Sequence, residues 1–90
     1  MHGLSLEEVR AAERAPHSAS AEALFELGLL HSGGAEEGEA DLVTACKWLN
    51  LAALKGSAEA RARRRLLAEE MTPQQIAEAH RLAAKWIAPH

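Results

Sequence analysis

Tyrosine is absent from this chain of ninety residues, which has one phenylalanine, two tryptophans, three prolines and one cysteine. The lone Cys46 has no internal disulfide partner, which fits a reducing compartment. Isoleucine, valine and threonine together number six, too few β-branched residues to favour strands. No apolar run approaches the roughly 20 residues of a membrane-spanning helix. The first residues, Met-His-Gly-Leu-Ser-Leu-Glu-Glu, place acids where a secretory signal has a basic segment and then an apolar core. A soluble, cytoplasmic chain without membrane contact is therefore expected. The net charge of −3 is the wrong sign for general nucleic-acid binding.

Catalytic constellations are missing as well. Of His2, His17, His31, His80 and His90, none pairs with another at helical ligand spacing or joins a cysteine-rich motif, so no metal is expected. Cys46 sits in an apolar helical stripe and reads as a small core residue, not a nucleophile. Glu36, Glu37 and Glu39 belong to a glycine-containing loop, whereas catalytic acids need fixed geometry. A non-enzymatic protein with no cofactor is the expectation.

What the chain has in quantity is alanine, twenty residues of it. Alanine loses no side-chain entropy in a helix and lets neighbouring helices approach closely, so the fold class is expected to be all-α. Ninety residues make one small domain. A domain this size buries a modest share of its surface and needs good packing or association to be stable.

Capping chemistry divides the chain into helices. Ser5 and Glu8 form a capping box, with Leu4 and Val9 as its hydrophobic staple, and Pro16 ends that first helix near Ala15. Either Leu6 and Val9 dock it as a cap, which is the expectation, or so short a helix is frayed. A linker over 16–20 leads to a helix over 20–31, with Ala21, Leu24, Leu27 and Gly28 on one face and Phe25 and Leu29 on the adjoining one. Gly28 costs about 1 kcal/mol against alanine in a helix, and close approach of a neighbour is its expected use. After the acidic loop, Asp41 caps a helix that Gly56 closes. Leu42, Ala45, Leu49, Ala52 and Ala53 form its stripe, widened by Cys46, Trp48, Leu51 and Leu54. Ser57 caps a further helix over 58–70, and Thr72-Pro73-Gln74-Gln75 starts a last one ending near 87. Ile76, Ala79, Ala83, Trp86 and Ile87 share its apolar face.

The chain also repeats itself. At an offset of 37, Ala21-Glu22-Ala23 matches Ala58-Glu59-Ala60, and Leu29-Leu30 matches Leu66-Leu67. Helix–turn–helix units of about 34–40 residues are the period of helical solenoids. The residues Ala21-Glu22-Ala23, Leu27-Gly28, Gly34, Asp41, Val43, Ala45, Trp48, Leu51, Ala52-Ala53, Gly56 and Ala58-Glu59-Ala60 resemble the Sel1-like repeats, relatives of the tetratricopeptide repeats. The tail from Met71 to Ala79 looks like the closing segment of bacterial members. Departures are His31 where the family has tyrosine, Glu36-Glu37 for Gly-Val, and Arg64-Arg65 for Leu-Gly.

The resemblance implies a short α-solenoid of antiparallel helix pairs. An N-terminal helix and linker (1–19) would precede a repeat domain (20–90). One intact repeat would span 21–57 and a degenerate capping repeat 58–87. It also implies a scaffold or adaptor that binds another protein on the surface of each repeat's first helix. Phe25, Leu29, Arg61 and Arg65 are the candidate partner-binding residues. Arg65 is also placed to pair with Glu69 one turn on. Two other readings stay open. Leftover apolar surface could be buried in a homodimer, or the arginines between 61 and 65 could contact nucleic acid.

Overall fold

The computed structural model of the chain describes residues 5–33 and 41–87, the last without its side chain. The Leu4 staple, the acidic loop, His2, His90 and the side chain of Ile87 fall outside the described residues. What is described is all-helical: α1 (Leu6–Arg14), a 3₁₀ turn (Pro16–Ser18), α2 (Ala21–Ser32), α3 (Leu42–Leu54), α4 (Ala58–Ala68) and α5 (Pro73–Ile87). No helix is long and apolar enough to cross a membrane among these residues.

Each described helix starts where its cap residue dictates. Ser5 Oγ accepts from the Glu8 amide at 3.1 Å, and the Glu8 carboxylate accepts from the Ser5 amide at 2.8 Å. Thr72 and Gln75 make the same reciprocal pair, at 2.9 and 3.1 Å, and Pro73 occupies the first helical position. Ser20 and Ser57 accept from the amides of Ala23 and Ala60, both at 3.0 Å. Between α3 and α4 the Ser57 amide donates to the Ala52 carbonyl and the Gly56 amide to that of Ala53, both at 3.0 Å. This pair of bonds is a Schellman closure, and it needs the left-handed backbone that Gly56 adopts at φ +106°.

Asp41 caps α3 twice over. Its carboxylate accepts from the Thr44 amide at 3.1 Å and from the Thr44 hydroxyl at 2.7 Å. The Thr44 hydroxyl bond first, then the amide bond, hold its carboxyl below the ordinary aspartate range. A carboxyl depressed in the fold adds stability above its unfolded pKa, and loses it as pH falls through the folded value. Asparagine caps about as well but does not titrate. Asp41→Asn is therefore expected to leave α3 intact at neutral pH and to shed less stability than the wild type below about pH 4. Parallel urea unfolding at neutral and acid pH checks this, and equal acid losses in both proteins would contradict it.

Helix α3 is the centre of the molecule. Ala45, Cys46 and every residue from Trp48 to Ala53 are buried. It packs against α2, α4 and α5, while α2 and α4 touch only over a short stretch. Gly28 of α2 stands directly against Leu49 of α3. Pro16, Leu24 and Leu49 are among the largest fully buried side chains. Met71, in the turn before α5, is buried too.

Four expectations are corrected. Leu6 is exposed, and α1 docks on α2 with Val9 and Ala12 buried instead. Leu54 is 63% exposed, because the last turn of α3 emerges between α4 and α5. Trp86 is exposed and lies outside the core, its indole stacked on His17 of the 3₁₀ turn with ring centroids 6.4 Å apart. The segment read as a plain linker is that 3₁₀ turn, with Pro16 at its start. Lys55 fixes the turn to the end of α3. Its ammonium donates to the carbonyls of His17 and Ala19 at 2.8 and 2.6 Å.

Candidate functional site

Helix α4 carries the densest positive charge of the described helices. It buries only Ala60 and Leu67. Arg61, Arg63 and Arg65 are exposed, and so is Leu66, at 60%. Nothing pairs Arg65 with Glu69. Among the described residues the ion pair within 4 Å is Arg81–Glu78 on α5. Glu69 is the C-cap of α4, and both it and Arg65 are exposed, where solvation competes with such a pair.

Spacing distributes these side chains over two flanks. Arg63, Leu66, Leu67 and Glu70 line a cleft beside Ser32 of α2 and Leu49 of α3. Ser32 is seven positions after Phe25 and three after Leu29, so all three share one side of α2. Phe25 is half-buried and packs on the core, and Leu29 is half-buried. Arg64 turns to the other flank, toward α5. Arg61, one turn before Arg64, and its neighbour Arg65 follow that flank. The residues of α4 beside the Phe25–Leu29 side of α2 are thus Arg63 and Leu66. Arg61 and Arg65 stand around the corner from it.

On the α5 flank lies a buried polar side chain that no motif in the sequence singles out. Asn50 lies in the middle of the α3 stripe and is 4% exposed. Its side-chain oxygen accepts from Arg64 Nη1 at 3.0 Å. Its amide nitrogen faces Cys46 Sγ at 3.9 Å, a long and weak contact. Arg64 is only half-exposed, unlike its neighbours. The available signal was a polar residue between Leu49 and Leu51, and an arginine in the i, i+4, i+7 series Ala60, Arg64, Leu67. Asn50, Leu54, Arg64, His80, Ala83 and Ala84 line an open groove of about 260 Å³.

The remaining chemically reactive side chains are restrained. Burial pushes the Cys46 thiol above its ordinary pKa, the charge of Arg64 opposing this, so the nucleophilic thiolate is scarce at neutral pH. Burial lowers the Lys47 pKa, with Glu13 and then Asp41 acting against it. The Lys47 ammonium lies 4.0 Å from the centre of the Trp48 ring. No group of three or more metal-ligating side chains exists among the described residues. The surface is basic on α4 and apolar at Leu54 and Leu66, with the Asn50–Arg64 pair anchored in the core. No known family model, curated protein or solved structure matches the chain.

Proposed function

We propose that this chain is a protein-binding adaptor of the Sel1-like repeat type, a short α-solenoid in which α2–α3 and α4–α5 form antiparallel pairs. The first helix of each pair presents the partner surface. Phe25 and Leu29 contribute from α2 beside Arg63 and Leu66 of α4, and Arg61 and Arg65 extend the surface around the corner of α4. One observation carries this reading. Helix α4 exposes three arginines without a paired carboxylate among the described residues, and a leucine beside them, on a helix with almost nothing buried. Arginine and exposed apolar side chains together are the composition of a binding surface. A helix serving only as a lid would pair or dilute those charges.

Arg65→Glu with Leu66→Glu is the test, because both side chains are exposed and the fold should survive the exchange. Tagged protein is used as bait in its native cell, beside the wild type and with helix content checked by circular dichroism. The double variant is expected to lose the captured partner. Capture at full strength refutes the α4 surface. If the captured species is the untagged chain itself, the adaptor reading gives way to self-association, which exposed Leu6, Leu30, Leu54 and Leu66 would also serve.

A further inference from the structure

We infer that the groove between α4 and α5, over the last turns of α3, holds an acidic side chain of a partner peptide, with Arg64 as its anchor and an aliphatic neighbour of that acid on the groove floor. This rests on the adaptor reading and names the chemistry of the partner. Arg64 is drawn inward by its bond to Asn50, yet it meets only a neutral carbonyl there. No carboxylate lies within 4 Å of it among the described residues. A guanidinium has five donors in a planar fork, and one of them reaches Asn50. Partly desolvated without a counter-ion, it gains from any carboxylate that arrives, and such bonds are shorter and stronger than neutral ones.

The rest of the groove fits that occupant. Its other walls are Leu54, Ala83, Ala84 and His80, with no acid among them. Arg61 and Arg65 extend the positive flank along α4. A groove of about 260 Å³ is below the roughly 300–1,000 Å³ of small-molecule and cofactor sites, and suits one or two side chains. Two small alanines on α5 keep it open where larger residues would fill it. The fixed partner of Arg64 matters as well. Asn50 is buried on the central helix, so the guanidinium is pre-oriented and little freedom is lost on binding. A phosphate backbone fits less well. The floor is aliphatic, and of the rings that could stack bases only His80 is at the groove, with Trp48 in the core and Trp86 on His17.

An NMR titration of the full chain tests this directly. The probe is an acetylated, amidated peptide of alternating glutamate and leucine. The comparisons are its glutamine-for-glutamate counterpart and a single-stranded oligonucleotide. The acidic peptide is expected to shift the Arg64 side-chain, Asn50 side-chain amide, Ala83 and Ala84 resonances. The glutamine peptide is expected to bind about tenfold more weakly or worse. Arg64→Gln keeps a donor for Asn50 and is expected to weaken the acidic peptide by a similar factor. Arg10→Gln, exposed on α1 and away from the groove, should change nothing. The groove is refuted by unaltered affinity in Arg64→Gln or by equal binding of the glutamine peptide. Stronger shifts from the oligonucleotide, or no shift at millimolar peptide, refute it equally. The titration needs no cellular partner, so its failure leaves capture through Leu66 and Arg65 standing, and the two outcomes are separable.

Discussion

Trp48→Ala is expected to destabilise the protein by about 3–5 kcal/mol, the cost of emptying a fully packed aromatic site. Trp48 is 3% exposed, on the helix that touches α2, α4 and α5. A domain of this length has about 4–14 kcal/mol in total, so the variant should melt far below the wild type or not fold at all. Trp48→Phe keeps the experiment readable. The indole Nε1 is buried and has no acceptor among the described residues. An orphaned donor costs about 1–3 kcal/mol, and phenylalanine removes it together with part of the ring. Trp48→Phe should therefore lose less than half of what the alanine variant loses. Thermal melts followed by circular dichroism read both. A Trp48→Ala protein that melts with the wild type would remove Trp48 from the core.

Gly28 is the second sensitive position, and there the sign is set by two opposed effects. Alanine raises helix propensity by about 1 kcal/mol over glycine. Its Cβ, however, would stand 2.5 Å from Leu49 Cδ2, 2.7 Å from Leu49 Cγ and 3.4 Å from the Ala45 carbonyl oxygen. Leu49 is 1% exposed, and the one way its side chain can give is toward the small cleft it lines beside Ser32 and Leu66, at the cost of its packing in the core. Overpacking costs about 1–3 kcal/mol per such intrusion and outweighs the propensity gain. Gly28→Ala should lose about 1 kcal/mol, and Gly28→Val about 3 kcal/mol or more, as two further methyls enter the α2–α3 contact. Urea unfolding gives both values. A stabilised Gly28→Ala would mean that α2 and α3 are farther apart than described here.

The helices were legible because their signals are local. Ser5 with Glu8, Ser20, Asp41, Ser57, and Thr72 with Gln75 cap them within one residue of the expected starts. The stripe of α3 was legible too, since a helix buried on several sides is apolar on several sides. What period cannot tell is how far a neighbour extends along a helix. Leu54 and Trp86 lie on faces that are apolar in sequence. At their height in the fold, though, α3 emerges between its neighbours and α5 meets only the 3₁₀ turn. Leu6 fails in the same way, at the open first turn of α1. Of the candidate surface, Phe25, Leu29, Arg61 and Arg65 were readable as residues. Their division over two flanks was not, because it depends on how α4 is rotated against α2 and α5. The pairing of Asn50 with Arg64, fourteen positions apart, is a tertiary fact of the same kind.

The tie at the far end of the molecule has a consequence for the order of events. Lys55 reaches the carbonyl of His17 across thirty-eight positions of chain, and His17 meets Trp86 across sixty-nine. The α3–α4 hairpin closes over a few residues, whereas this clasp must wait until the two ends of the chain are brought together. Loop-closure entropy therefore makes it a contact expected to form late, which hydrogen exchange at the 3₁₀ turn would read. Lys55 also grips main-chain oxygens, which every residue carries. The opening segment can therefore exchange most of its exposed side chains over evolutionary time without losing its mooring.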